Sequence, residues 1–277
     1  MAEQKSLSVR FWGVRGSIAC AGHAYERYGG NTSCIEVLCG GERIVFDAGT
    51  GLRALGASLK EAEPLTLDLF LTHSHLDHVV GIPFFSCLFN PDNRVRLWAG
   101  HLLPDHTLKE VISMVMADPL FPVPPAIFTA RTEFLDFTAG ETLTPKPGVT
   151  LRTAPLNHPN GATGYRIEFG GKSICYVTDT EHRADGIDRT IVDLVRDTDI
   201  LIYDATYTDA EYPKFAGWGH STWQEGVRVA NAAGVGQLVL FHHDPSHDDI
   251  FMDGVAAAAA AARPGTIVAR EGLTLTP

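Results

Sequence analysis

The chain has 277 residues, with 33 acidic and 22 basic side chains, a formal net charge of −11, 12 histidines and 5 cysteines. Apolar residues make up 45% and charged residues 20%, which excludes a disordered, collagen-like or disulfide-dense chain, and no apolar run approaches the roughly 20 residues that span a bilayer. The acidic balance and the lack of a dense basic run weigh against membrane surfaces and long nucleic acids as partners.

In chain order, residues 1–5 lead directly into a strand-like stretch at 7–12, unlike a secretory signal. Residues 33–38 and 43–46 read as strands, and the turn Asp47-Ala48-Gly49-Thr50-Gly51 feeds a helix through about Lys60. A buried strand over 65–71 ends in Thr72-His73-Ser74-His75-Leu76-Asp77-His78. The Pro- and Phe-rich segment 84–130 reads as a helix plus a covering loop, a lid-like insertion in a single domain spanning 1–277. Strands resume at 149–154, 164–169 and 173–178, followed by a helix at 191–195 and a strand at 199–203. Residues 222–233 form a helix and 237–241 a strand. The alanine tract 255–262 is helical, alanine being the best helix former, and Arg263-Pro264-Gly265 stops it before a strand at 266–270. Strands and helices paired in each half predict an α/β fold, two packed mixed sheets with helices outside.

Cys20, Cys34, Cys39, Cys87 and Cys175 are odd in number and show no C-x-x-C spacing, so reduced thiols in a cytoplasmic protein are expected.

The chemistry concentrates at His73-x-His75-x-Asp77-His78. In extended backbone alternate residues point the same way, so His73 and His75 can address one ion. Asp77 and His78 lie past the strand end and can address a second. Three more candidates each end a β-like segment: His158, Asp179 and His242. Strand ends are where a rigid sheet presents a site to solvent.

In these residues the chain resembles the metallo-β-lactamase superfamily, which implies an αβ/βα sandwich with metals at one sheet edge. The resemblance implies one metal on His73, His75 and His158, a second on Asp77, His78 and His242, and Asp179 bridging both. A bridging aspartate marks the binuclear hydrolase branches rather than the antibiotic-degrading one. Gly219-His220-Ser221-Thr222 and Asp204-Ala205-Thr206 resemble the branch of the transfer-RNA 3′-processing endonucleases and their phosphodiesterase relatives. There His220 would contact the scissile phosphate and Asp204 would orient its imidazole. The segments 11–17 and 28–33 resemble small bacterial hydrolases related to the phosphonate-pathway cyclic phosphodiesterases, and His242-His243-Asp244-Pro245 fits the same subgroup. Related proteins are often dimers, so a homodimer is compatible with the resemblance.

The expected reaction is hydrolysis of a small linear or cyclic phosphodiester by a metal-bridging hydroxide, with Asp77 guiding the nucleophile's proton. Zinc is the default for His/Asp donors, with Mn2+ or Fe2+ suited to an oxygen-rich second site. Alternatives are hydrolysis of a lactone, thioester or β-lactam, a transfer-RNA 3′-end endonuclease, and a metal-stabilised binding scaffold. Asp47 reads as structural, its carboxylate available to brace the metal loop, and Asn31-Thr32-Ser33 as a polar loop near the metals. His243, His247, Asp248 and Asp249 read equally as a solvated loop or a substrate contact, and His182 has no assigned role.

Overall fold

The computed structural model describes residues 6–59 and 64–277. The amino-terminal five residues and the expected helix end near Lys60 therefore lie outside the described residues.

Fourteen strands are described, in two sheets. The first sheet is built from β1 (Leu7–Gly13), β2 (Cys34–Cys39), β3 (Glu42–Phe46), β4 (Thr66–Leu71), β5 (Arg94–Ala99) and β6 (Arg131–Asp136). The second uses β7 (Thr142–Leu143), β8 (Thr150–Leu156), β9 (Ala162–Phe169), β10 (Lys172–Val177), β11 (Ile200–Asp204), β12 (Gln237–Phe241) and β13 (Ile267–Val268). A last strand, β14 (Thr274–Leu275), returns to pair antiparallel with β1. The orders are β14-β1-β2-β3-β4-β5-β6 and β13-β12-β11-β10-β9-β8-β7. Within them β3 to β6 run parallel, as do β10 to β13.

The layering follows from the period-2 pattern of the strands. In β10, Ile174 and Tyr176 enter the core between the sheets, whereas Cys175 and Val177 face outward. Val239 and Phe241 of β12 likewise point between the sheets, with Leu238 and Leu240 outward. The first sheet's outer face is covered by α1 (Gly51–Ser58) through Leu52 and Leu55, and by α3 (Leu108–Val115) through Leu108, Val111 and Ile112; the one-turn α2 (Leu76–Val79) lies between them in the chain. The second sheet's outer face is covered by α4 (Arg189–Val195), α5 (Trp223–Ala232) and α6 (Asp249–Ala262), through residues such as Leu194, Val229 and Ala259. Three apolar interfaces thus hold four layers, α/β/β/α. Each fully buried Leu, Ile or Phe contributes roughly 1.5–3 kcal/mol.

The segment 84–130 departs from its expected form. Residues 94–99 are β5, flanked on both sides within the first sheet by β4 and β6. The alternation of buried Val95, Leu97 and Ala99 with half-buried Arg94, Arg96 and Trp98 is a half-buried strand pattern, obscured by its Pro/Phe-rich neighbours. Residues 84–93, with a 3-10 turn at Ser86–Phe89, lie outside the sheet before β5, and residues 100–130, containing α3, leave it afterwards. The polar strand β6 and the two-residue edges β7 and β14 also fall outside the expected elements.

No helix among the described residues is long and apolar enough to cross a membrane.

Candidate metal centre

The site forms where the carboxyl ends of both parallel sets meet, as expected for open α/β sheets. After β4 come His73 and His75, and α2 then turns Asp77 and His78 inward while Leu76 stays exposed. After β8 comes His158, after β10 Asp179, and after β12 His242. Asp204 is the last residue of β11, and His220 precedes α5, whose N-cap is Thr222. Three residues just past strand ends have left-handed backbone: Asp47 (φ 60°), Asp179 (φ 58°) and His242 (φ 64°). Such a conformation costs a non-glycine residue about 1–2 kcal/mol, and here it swings each side chain into the seam between the sheets.

The structure brings all seven expected ligand residues together. The rings of His73, His75 and His158 lie 4.5–4.9 Å apart, centroid to centroid. Asp77 Oδ2 is 3.2 Å from His78 Nε2 and 3.3 Å from His242 Nε2. Asp179 stands between the two groups. Its Oδ1 is 3.7 Å from His73 Nε2, 3.9 Å from His158 Nε2 and 3.3 Å from His242 Nε2, and its Oδ2 is 3.3 Å from His78 Nε2. His73–His75–His158, His73–His78–Asp179 and Asp77–His78–His242 each place their donor atoms within 4.8 Å of one another, close enough to share an ion.

The donor chemistry fits a divalent cation. Among the described residues, Nε2 of His73, His78 and His242 is buried without a hydrogen-bond partner, despite nearby carboxylate oxygens. A buried polar atom left so costs about 1–3 kcal/mol unless something else takes its lone pair. The second ring nitrogens, by contrast, are held. His78 Nδ1 lies 2.9 Å from Asp47 Oδ2, His158 Nδ1 donates to Gly219 O at 2.7 Å, and His75 Nε2 contacts Asn160 Oδ1 at 3.3 Å. Thr206, with its proton on Asp204 Oδ1 (2.8 Å), accepts from His242 Nδ1 (3.0 Å). Thr72, donating to Asp47, does the same for His73 Nδ1 at 3.1 Å. Such outer contacts fix the tautomer that leaves the inward nitrogen as a lone-pair donor.

Charge reinforces this. Burial opposes ionisation of Asp77 and Asp179, but the surrounding histidines outweigh it and hold both carboxyls well below the usual range. Burial pushes the His73 imidazole well down, helped by His78. His78 goes the other way, because Asp77, Asp179 and Asp47 overcome its desolvation. His220 is buried too, yet Asp204 Oδ2 at 3.0 Å from its Nδ1 raises it to about 9. Asp204 is itself fixed by Thr180 N and by the backbone and hydroxyl of Thr206. The His220 ring stacks on His242 with centroids 4.9 Å apart, so this pair abuts the ligand cluster.

Several expectations sharpen or change. Asp47 braces the metal loop as well as the core, accepting from Thr72 N (2.7 Å) and Tyr176 OH (2.8 Å) besides facing His78. Asn31-Thr32-Ser33 supports the site at one remove: Thr32 pairs with Thr50 and Asn31 with Glu271. The 243–249 cluster is paired internally rather than forming a solvated loop. His243 is buried, donates to Ala269 O at 2.8 Å and is pushed down to about 3 by burial and then by Arg15. His247 pairs with Glu211, Asp249 holds the backbone of Arg27 and Tyr28, and Asp248 caps α6. His182 contacts Ser221 Oγ at 3.1 Å and packs on Tyr212 with the ring planes tilted by 38°. Sequence reading missed His101, whose Nε2 meets Ser74 Oγ at 3.2 Å beside the ligand rings and which burial pushes down to about 4. Nothing in its local sequence marks it.

Two glycines permit this packing. A Cβ at Gly16 would fall 2.4 Å from the His242 ring. At Gly219, where φ is +87°, it would fall 2.3 Å from His158 Nδ1 and Pro159 Cδ. Gly219→Ala should therefore displace His158, lowering bound metal and cutting turnover by about tenfold or more, in the range seen when outer contacts of a metal ligand are removed. Metal analysis beside turnover checks this; unchanged metal content would show that the loop yields instead.

The beta-lactamase superfamily domain matches residues 42–243 of the chain. A ribonuclease Z of Bradyrhizobium sp. is 28% identical, the match covering 87% of this chain and 92% of that protein. Among solved structures, the metallo-beta-lactamase fold protein YhfI of Bacillus subtilis superposes with a TM-score of 0.73 at 19% identity, covering 99% of this chain and 100% of the other. A diphosphatase of the PhnP family gives 0.71 at 19% identity, covering 98% and 97%. The chain belongs to the beta-lactamase superfamily, as a metal-dependent hydrolase of the metallo-β-lactamase fold.

Proposed function

We propose that this hydrolase is a binuclear phosphodiesterase acting on a small phosphodiester, such as a nucleotide or cyclic nucleotide. The observation that carries this reading is the His220–Asp204 pair lying against two adjoining ligand sets. His73, His75 and His158 would hold one cation, Asp77, His78 and His242 the other, and Asp179 would face both. Zinc matches the nitrogen-rich set, and Mn2+ or Fe2+ would suit the carboxylate-bearing one. When bound, the pair of cations supplies an acidified water and neutralises charge developing on phosphate.

The chain's own residues do the rest. Asp204 fixes the His220 imidazole through Nδ1 and favours its protonated form, so Nε2–H is free to donate to a non-bridging or leaving oxygen. Asp77, its Oδ2 oriented by Ser17 N at 2.7 Å, is placed to take the proton of the attacking water as well as to ligate. A carbonyl ester, thioester or β-lactam would not need the His220 donor. His220→Ala should cut turnover of bis-p-nitrophenyl phosphate by about 10² or more with two metals per chain retained. Undiminished turnover would overturn the assignment.

The net charge of −11 would stay negative with two divalent cations bound, which favours a small anion over a polymer. The excursion at 100–130, with His101 beside Ser74 and Phe121 packed on Phe84, would act as the cover. A second reading, a transfer-RNA 3′-end endonuclease, is favoured by the ribonuclease Z relative. Cleavage of precursor transfer RNA faster than of any small diester would select it. A cytoplasmic setting is supported by five free cysteines, four of them buried.

A further inference from the structure

The site has an aromatic lip that the hydrolytic chemistry does not use. Tyr207 is buried and meets His220 edge-on at 6.1 Å. Phe215 stacks on Tyr207 at 4.5 Å with the planes 6° apart, and Trp218 meets Phe215 edge-to-face at 5.5 Å. A continuous run of rings therefore leads from His220 out to Trp218, which is 62% exposed. Trp218 lies two residues before His220, about 7 Å of extended chain at most.

The loop that carries Trp218 is not loose. Glu181 Oε1 accepts from Tyr212 OH and Gly217 N, both at 2.7 Å, and Oε2 accepts from Gly219 N at 2.9 Å. Glu181 is tied in turn to Asn157, whose side-chain amide donates to its carbonyl and whose own carbonyl accepts from its amide. The loop is thus pinned to the segments bearing His158 and Asp179. A large exposed ring on a pinned loop contributes little to the core, yet it offers a flat face at low conformational cost on binding.

We propose that Trp218 is a specificity-determining residue that stacks on the nucleobase, or an equivalent flat aromatic group, of the ester whose phosphate lies at His220. This rests on the phosphodiesterase reading for the location of the phosphate. Stacking of a base on an aromatic side chain is worth roughly 1–3 kcal/mol, or about 5- to 150-fold in affinity.

The test is calorimetric binding of AMP and of ribose 5-phosphate to the full-length, metal-loaded protein. Wild type should bind AMP at least about tenfold more tightly than ribose 5-phosphate. Trp218→Ala should remove most of that difference and leave ribose 5-phosphate within about twofold, while Trp218→Phe should keep it. Equal affinities in wild type, failure to bind AMP, or equal weakening of both ligands by Trp218→Ala would overturn the proposal. Turnover of bis-p-nitrophenyl phosphate by the same preparation is read separately. Its absence alongside base-selective binding would sink the phosphodiesterase reading and leave the stacking wall standing.

Discussion

Asp179→Asn should bring bound metal from two per chain towards one and lower phosphodiester turnover by about 10³-fold, roughly 4 kcal/mol of barrier. No other side chain in the cluster faces so many donors: nitrogens of His73, His78, His158 and His242 all lie within 3.9 Å of its carboxylate. Its negative charge sets the attraction for both cations and holds their separation. Asparagine keeps the shape and tolerates the left-handed backbone at φ 58°, so charge rather than folding is what changes. Metal analysis, turnover and a thermal melt separate the outcomes. Two metals retained with unchanged turnover would rule out a bridging role, and a cooperative melt no lower than that of the chelated wild-type protein would confirm that the fold survived.

Stripping the metals with a chelator should lower the melting temperature by about 10 °C. A ligand present at a thousand times its Kd stabilises the folded state by about 4 kcal/mol, and each kcal/mol moves the transition by about 2–4 °C for a chain of this size. His73, His75, Asp77 and His78 hang from the first sheet, and His158, Asp179 and His242 from the second. Shared cations would therefore tie the two halves across the seam. Without them, three buried imidazole nitrogens have no partner. Differential scanning calorimetry before and after chelation, and again after adding Zn2+, gives the measurement. A shift under about 2 °C would mean the seam is held by its apolar core alone.

How much of this could be read from the sequence differs from element to element. The buried strands β4, β10 and β12 declared themselves by dense apolar runs, since both faces of each meet a layer. β5 did not, because one of its faces carries Arg94, Arg96 and Trp98 over the buried carboxylate of Asp68, a pairing that becomes visible only when β4 lies alongside. β6 is mostly polar and has no buried residue, so it lacks the alternation of a buried strand. In the site, His73 to His78 are legible because their spacing is local. His158, Asp179 and His242 are single residues at strand ends, and the family resemblance drew them together. Asp47, Thr206 and Asn160 act on ligands 31, 36 and 85 positions away, and only the fold establishes such contacts. His101 is likewise defined by what surrounds it.

The left-handed residues at the strand ends carry a consequence for the protein's evolvability. At Asp47, Asp179 and His242 the backbone would be most relaxed with glycine, the residue that has no side chain to place in the site. Selection for stability alone would thus push these three positions towards the substitution that empties the centre. Selection for turnover must hold them against that gradient, so stability would be recovered at positions remote from the seam.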